Sequence, residues 1–196
     1  MDRRALKRIV RTAIVEVNRK IRRDPLIALT ESDIQCLLFA SLFSYFGRKE
    51  PITNVSVWGT NIPKRLKPLW STMLHSELLL PEGRIDLAIL DLAAARFAFN
   101  SRGRFGGVQL EEGNHVFIEI KASRTHRSQV TSKHRWKQLL QSDINKLKRY
   151  PHLCFLVCYD FNDLLDTSSI HELADLAQPK VVFTYFKDVY SDSYLQ

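Results

Sequence analysis

His115-Val-Phe-Ile-Glu119-Ile-Lys121-Ala122 is the stretch from which the rest of this 196-residue chain is read. Side chains alternate along a strand, so Glu119 and Lys121 project from one face while Ile118 and Ile120 enter the other. A carboxylate and an ammonium thus stand side by side in an otherwise apolar run. Earlier in the chain, Gly83-Arg-Ile-Asp86-Leu-Ala-Ile-Leu90 carries one acid, with Ile85, Leu87 and Ile89 sharing a face and Asp86 on the other. Pairing the two strands would bring Asp86 and Glu119 together beside Lys121. Taken singly, Asp86 could start a strand and the Glu119-Lys121 pair could be an exposed polar face. Jointly they call for another reading, because central strands of a mixed sheet tend to be apolar on both faces.

Two carboxylates and a lysine are what phosphodiester hydrolysis needs: hard oxygen ligands to hold Mg²⁺ against a phosphate, and a cation near the attacking water. Mg²⁺ takes one or two protein carboxylates and fills its octahedron with water and substrate oxygens. Asp86 and Glu119 would suffice, with Mn²⁺ as a substitute metal and the backbone carbonyl of Ile120 as a further ligand. Lys121 would orient the water or help deprotonate it, since a lysine shifts its pKa readily when desolvated.

Gly83-Arg-Ile-Asp86 followed by Glu119-Ile-Lys121 resembles the PD-(D/E)XK nuclease superfamily, also called restriction-endonuclease-like, with Ile85 standing where that name has proline. The resemblance implies an α/β fold with an αβββαβ core, a mixed central sheet flanked by helices, over residues 30–160. It also implies an acid on the first core helix that completes the metal site and assists catalysis. Glu31 is the matching candidate; Asp33 competes with it, and the helix dipole alone favours acids in a first turn. Some family members carry a glutamine on the helix after the lysine strand, where Gln138 and Gln141 lie one turn apart, on what could equally be a solvated face. Glu77 on the first strand is a further acid near the site, or an exposed strand residue.

The pattern along the chain fits that order. Residues 2–23 set Leu6, Ile9, Val10, Ala13, Ile14, Val17 and Ile21 at helical spacing among nine arginines and lysines, an extra basic helix over residues 1–25 ahead of the core. Asp2, Glu16 and the apolar stripe argue that it packs or contacts DNA rather than serving as a transit peptide. A second helix opens at Thr30, whose hydroxyl can cap near Asp33, and runs through Ile34, Leu37, Leu38, Leu42 and Phe46 to Gly47. Residues 48–70, with three prolines, read as irregular around a short strand at 55–58. Strands at 73–80 and 84–92 are joined by Pro81-Glu82-Gly83; the glycine-bearing stretch 93–114 reads as an extended hairpin or loop. Trp136, Leu140, Ile144 and Leu147 mark a helix, residues 153–159 a buried strand, and a helix near 162–177 with a strand near 180–187 completes a single domain over 1–196.

Composition agrees with a polyanionic partner. The chain has 29 Lys plus Arg against 21 Asp plus Glu, a net charge of +8. Arg124, Arg127, Lys133, Arg135, Lys137, Lys146, Lys148 and Arg149 cluster after Lys121 with only Asp143 opposing. Arg84, Arg124, Arg127, Lys133, Arg135 and Lys137, together with Gln138 and Gln141, are the candidate nucleic-acid contacts, most readily to DNA. No apolar run approaches the ~20 residues of a membrane span. Cys36, Cys154 and Cys158 read as reduced buried thiols of an intracellular, cytoplasmic protein, with neither disulfide nor zinc expected. The expectation is a Mg²⁺-dependent nuclease, with a homodimer called for if two strands are cut symmetrically. A catalytically inactive nucleic-acid-binding protein and an interaction subunit whose basic helix docks a partner are the alternatives.

Overall fold

The computed structural model describes residues 1–24, 27–28, 30–52, 55–58, 70–80, 83–100, 105–124 and 132–187. Helix α1 (Arg3–Arg23) begins where the Asp2 carboxylate accepts a hydrogen bond from the Ala5 amide at 2.7 Å, and ends on Lys20, Arg22 and Arg23, suited to the negative end of the helix dipole. Helix α2 (Glu31–Phe46) carries the expected capping box: Thr30 Oγ1 accepts from the Asp33 amide at 3.2 Å and the Asp33 carboxylate accepts from the Thr30 amide at 2.8 Å. There follow β1 (Lys49–Pro51), β2 (Val55–Trp58), β3 (Trp70–Thr72), β4 (Leu74–Leu80), β5 (Gly83–Ile89), β6 (Ala95–Asn100), β7 (Phe105–Leu110) and β8 (Val116–Ala122). Helix α3 (Lys133–Leu147), β9 (Leu153–Asp160), α4 (Thr167–Ala177) and β10 (Val181–Lys187) complete the order.

The fold is mixed α/β. Its central sheet has five strands in the order β10-β9-β8-β5-β4. Strand β5 runs antiparallel to both of its neighbours, β4 and β8, whereas β8, β9 and β10 are parallel and are joined through α3 and α4. One face of the sheet, with Leu87, Ile89, Val116, Ile118, Ile120 and Phe155, packs on α1 and α2 through Leu6, Val10, Ile14, Ile34, Leu38 and Leu42. The other, with Ala88, Phe117, Leu156 and Cys158, packs on α3 and α4 through Trp136, Leu140, Ile144 and Leu173. Both faces being covered explains why β8 and β9 are buried almost throughout.

The structure departs from the sequence expectations in four places. Ile85 does not share a face with Leu87 and Ile89: it joins the α3–α4 side with Leu78, while Leu74, Leu87 and Ile89 join the α1–α2 side. The cause is local. The β4–β5 ladder pairs Ser76 with Leu87 and Leu78 with Ile85 but skips Glu77 and Asp86, and Glu77 sits at φ 54°, a left-handed conformation uncommon for a non-glycine residue. Second, β5 stops at Ile89, short of the expected 92; beyond it the expected hairpin is present, β6 and β7 pairing with β2 as a separate three-stranded sheet and sending Phe97 and Val108 into the α3–α4 side of the core. Third, the 48–70 region also contributes β1, which pairs antiparallel with β3. Fourth, Cys36 is exposed, because on α2 it lies between the buried Ile34 and Leu38 and so faces outward; Cys154 and Cys158 are buried as expected. Pro81, Glu82 and Arg127 lie outside the described residues.

Candidate active site

Antiparallel pairing of β5 with β8 sets Ile89 opposite Val116, Ala88 opposite Phe117 and Leu87 opposite Ile118, and there it ends. One more step would place Asp86 opposite Glu119. Instead the strands part, and side chains take over the backbone groups the ladder would have used. Asp86 Oδ2 accepts from the Ile120 amide at 2.7 Å. Lys146, from α3, spans the gap, its Nζ donating to the Arg84 carbonyl at 3.0 Å and to Glu119 Oε1 at 2.7 Å. From α2, Gln35 Nε2 donates to the Asp86 carbonyl and to Glu77 Oε1, each at 2.9 Å, and thereby holds the strained residue of β4 beside the acid of β5.

Asp86 and Glu119 are buried, at 6% and 4% exposure, so both carboxylates sit where the charged form is poorly solvated. Burial raises the Asp86 pKa against the pull of the Ile120 amide and of Lys121 and Lys146, with Glu77 adding repulsion. Glu119 is pushed up to about 7, first by burial and then by the Asp86 charge, although Lys146 and Lys121 pull it down. Lys121 Nζ lies 3.5 Å from Glu31 Oε1, 3.8 Å from Asp143 Oδ2 and 3.9 Å from Glu119 Oε1. Burial alone would lower its pKa, but Glu31, Asp143, Glu119 and Asp86 reverse that and hold it above the ordinary lysine value. Of the two roles expected for Lys121, an ammonium held among carboxylates suits the orienting of water. Glu31 and Asp143 are raised by burial, Lys121 opposing. Four carboxylates (Glu31, Asp86, Glu119, Asp143) meet two ammoniums (Lys121, Lys146), a formal charge of −2.

Of the expected residues, the structure thus brings together Asp86, Glu119, Lys121 and Glu31. Glu31 does so through protein donors: its Oε1 faces Lys121 Nζ and its Oε2 accepts from the Ala122 amide at 3.3 Å. That binds α2 to the end of β8 and prefers Glu31 to Asp33, which is spent on the cap. Glu77 is at the site too, paired with Arg84 at 2.7 Å. The expected nucleic-acid contacts are more scattered. Lys133 and Lys137 are ion-paired to Asp166, which caps α4, and to Glu172 within it, Arg124 lies over the Phe161 ring at 5.7 Å, Gln138 and Arg135 are exposed, and Gln141 is half-buried. Sequence reasoning missed Asp143, Lys146 and Gln35 as site residues. Helical spacing held the signal: Gln35 lies four residues after Glu31, and Lys146 three after Asp143, each pair on one helix face.

Glu119 Oε2 is buried without a hydrogen-bond partner among the described residues. A carboxylate oxygen in that state is costly unless something binds it. With Asp86 alongside, the pair fits Mg²⁺, which asks for no more than one or two protein carboxylates. Among the described residues no group of three or more His, Cys, Asp or Glu side chains forms a ready metal cluster, which agrees with Glu31 being held by Lys121 and Ala122. Comparison of the chain with protein-family models, with curated proteins and with solved structures gives no match.

Proposed function

We propose that this protein is a Mg²⁺-dependent nuclease that hydrolyses phosphodiester bonds, in DNA before RNA, with a site of the restriction-endonuclease-like kind. The observation that carries the reading is the meeting of Asp86 and Glu119 where β5 and β8 part, with a buried carboxylate oxygen left unpartnered and the Lys121 ammonium 3.9 Å from Glu119. The succession of α2, the β4-β5-β8 meander, α3 and β9 supports it, since it is the order the resemblance implies. Asp86 and Glu119 would hold the metal, which when bound supplies charge neutralisation at the phosphate and a more acidic water. Lys121, kept an ammonium by its carboxylate neighbours, orients the attacking water and offsets charge developing on phosphate oxygens. Glu31 fixes Lys121 and the end of β8, and Gln35 fixes Asp86.

A basic surface supports a nucleic-acid substrate. Arg3, Arg4, Arg8, Arg11, Arg19, Lys20, Arg22 and Arg23 of α1 are exposed while its apolar stripe is buried against α2 and the sheet. The test is incubation with supercoiled plasmid in Mg²⁺, Mn²⁺ or EDTA, beside Asp86→Ala and Lys121→Ala. Nicking that EDTA and both substitutions abolish is the expected result. Salt-sensitive DNA retention without nicking, unchanged in the variants, would instead identify a binding protein.

A further inference from the structure

Lys146 donates to Glu119 at 2.7 Å and also binds a backbone carbonyl of the opposite strand, so its ammonium spans the opening between β5 and β8. It arrives from α3, on the face that also carries Asp143. Its stem packs near Gly83, 3.8 Å from where a Cβ there would stand, so the side chain is seated along β5 and not hanging free. Glu119 is therefore divided: Oε1 is satisfied by Lys146, and Oε2 is buried with no donor among the described residues. The cluster's formal charge of −2 counts Lys146 as an ammonium, and one divalent cation brings it to zero. A second divalent cation would leave +2 in a site removed from water.

We infer that Lys146 is the resident counter-ion of Glu119, that it yields that carboxylate to a single divalent cation, and that it thereby lowers the site's affinity for the ion. This rests on the reading that Asp86 and Glu119 hold the metal. Lys146 holds the other oxygen of the same carboxylate and repels the same charge, so removing it has the opposite sign to removing a merely structural residue. A structural lysine, once lost, would loosen the site and weaken cation binding; a competing one, once lost, strengthens it.

Isothermal titration of the metal-free protein with Mn²⁺ alone at pH 8, with no nucleic acid present, measures this directly. Wild type is expected to bind one ion, and Lys146→Met to bind one ion about tenfold more tightly, a gain of about 1.4 kcal/mol. Lys146→Arg, which keeps the charge, is expected to stay within about threefold of wild type. Lys146→Gln, which keeps a donor without the charge, repeats the comparison should the methionine variant fail to fold; thermal melting in EDTA establishes which variants fold. Unchanged or weaker binding in the neutral variants, or two ions in the wild-type site, would overturn the inference while leaving the metal site standing. No binding by wild type would overturn both, and Asp86→Asn, expected to abolish the heat signal, ties any binding that is seen to this site.

Discussion

Replacing Glu119 by glutamine is expected to stabilise the metal-free protein, and by an amount that depends on pH. The acid's pKa stands at about 7 in the fold against 4.5 for the free group, raised first by burial and then by Asp86. A carboxyl with a raised folded pKa favours folding in its protonated form. Its contribution is fully present below about pH 4.5 and is lost as pH rises through about 7. At 1.36 kcal/mol for each tenfold change in the proton equilibrium, the loss amounts to roughly 3 kcal/mol by pH 8. Glutamine imitates the protonated acid, keeps an oxygen toward Lys146 and does not ionise. Urea unfolding in EDTA should therefore find Glu119→Gln roughly 3 kcal/mol more stable than wild type at pH 8 and nearly equal to it at pH 4.5. Mg²⁺ should then stabilise wild type and leave the variant unmoved, since ligands that bind only the folded state raise its stability. Equal stabilities at pH 8, or a variant weaker than wild type there, would refute the argument that Glu119 is held ionised at a cost.

Three further outcomes follow from the same structure. Lys121→Met leaves four carboxylates facing Lys146 alone, and should cost about 3 kcal/mol at pH 8 and less near pH 5, where protonation relieves the repulsion; a loss independent of pH, measured by urea unfolding, would contradict the charge balance. Asp160 is fully buried and accepts from the Asn162, Leu164 and Leu165 amides and the Tyr185 hydroxyl, so Asp160→Ala should lower stability by about 3 kcal/mol or more while the soluble protein keeps its plasmid-cutting rate. His152 is pushed down to about 4 by burial, by His115 and by Arg3, so the unfolded chain takes up its proton first and stability falls as pH drops from 6.5 toward 4. Because the ring is only half buried, the difference between wild type and His152→Gln over that range should be about 1–2 kcal/mol, read by unfolding at pH 7 and pH 4.5.

The elements most legible in the sequence were those whose local signals agreed with their packing. The apolar stripe of α1, the Thr30 cap of α2 and the doubly buried β8 and β9 were each foreshadowed by spacing or composition. The register of β5 against β8 was legible too, since matching the apolar faces sets Asp86 toward Glu119. What could not be read was the break in the ladder. Alternation extended through Ile85 assumes a regular strand, and the left-handed Glu77 that turns Leu78 and Ile85 to the other layer leaves no mark in residue type. In the sequence Asp143 and Lys146 are no more than charge on a basic stretch, because which face of α3 covers β8 is fixed by Trp136, Leu140, Ile144 and Leu147 in three dimensions. Lys133 and Lys137 likewise have the sequence look of phosphate contacts, and the acids that engage them, at the cap and in the body of α4, are about thirty residues away in the chain.

The most direct measurement of the central claim is mass spectrometry of a short duplex oligonucleotide incubated with wild type and with Asp86→Asn in ¹⁸O-labelled water. With Mg²⁺ present, wild type should release fragments carrying one ¹⁸O in the new terminal phosphate, and EDTA or the substitution should leave the oligonucleotide whole. An intact oligonucleotide under every condition, with wild type folded and binding it in a salt-sensitive manner, would contradict hydrolysis at Asp86 and Glu119.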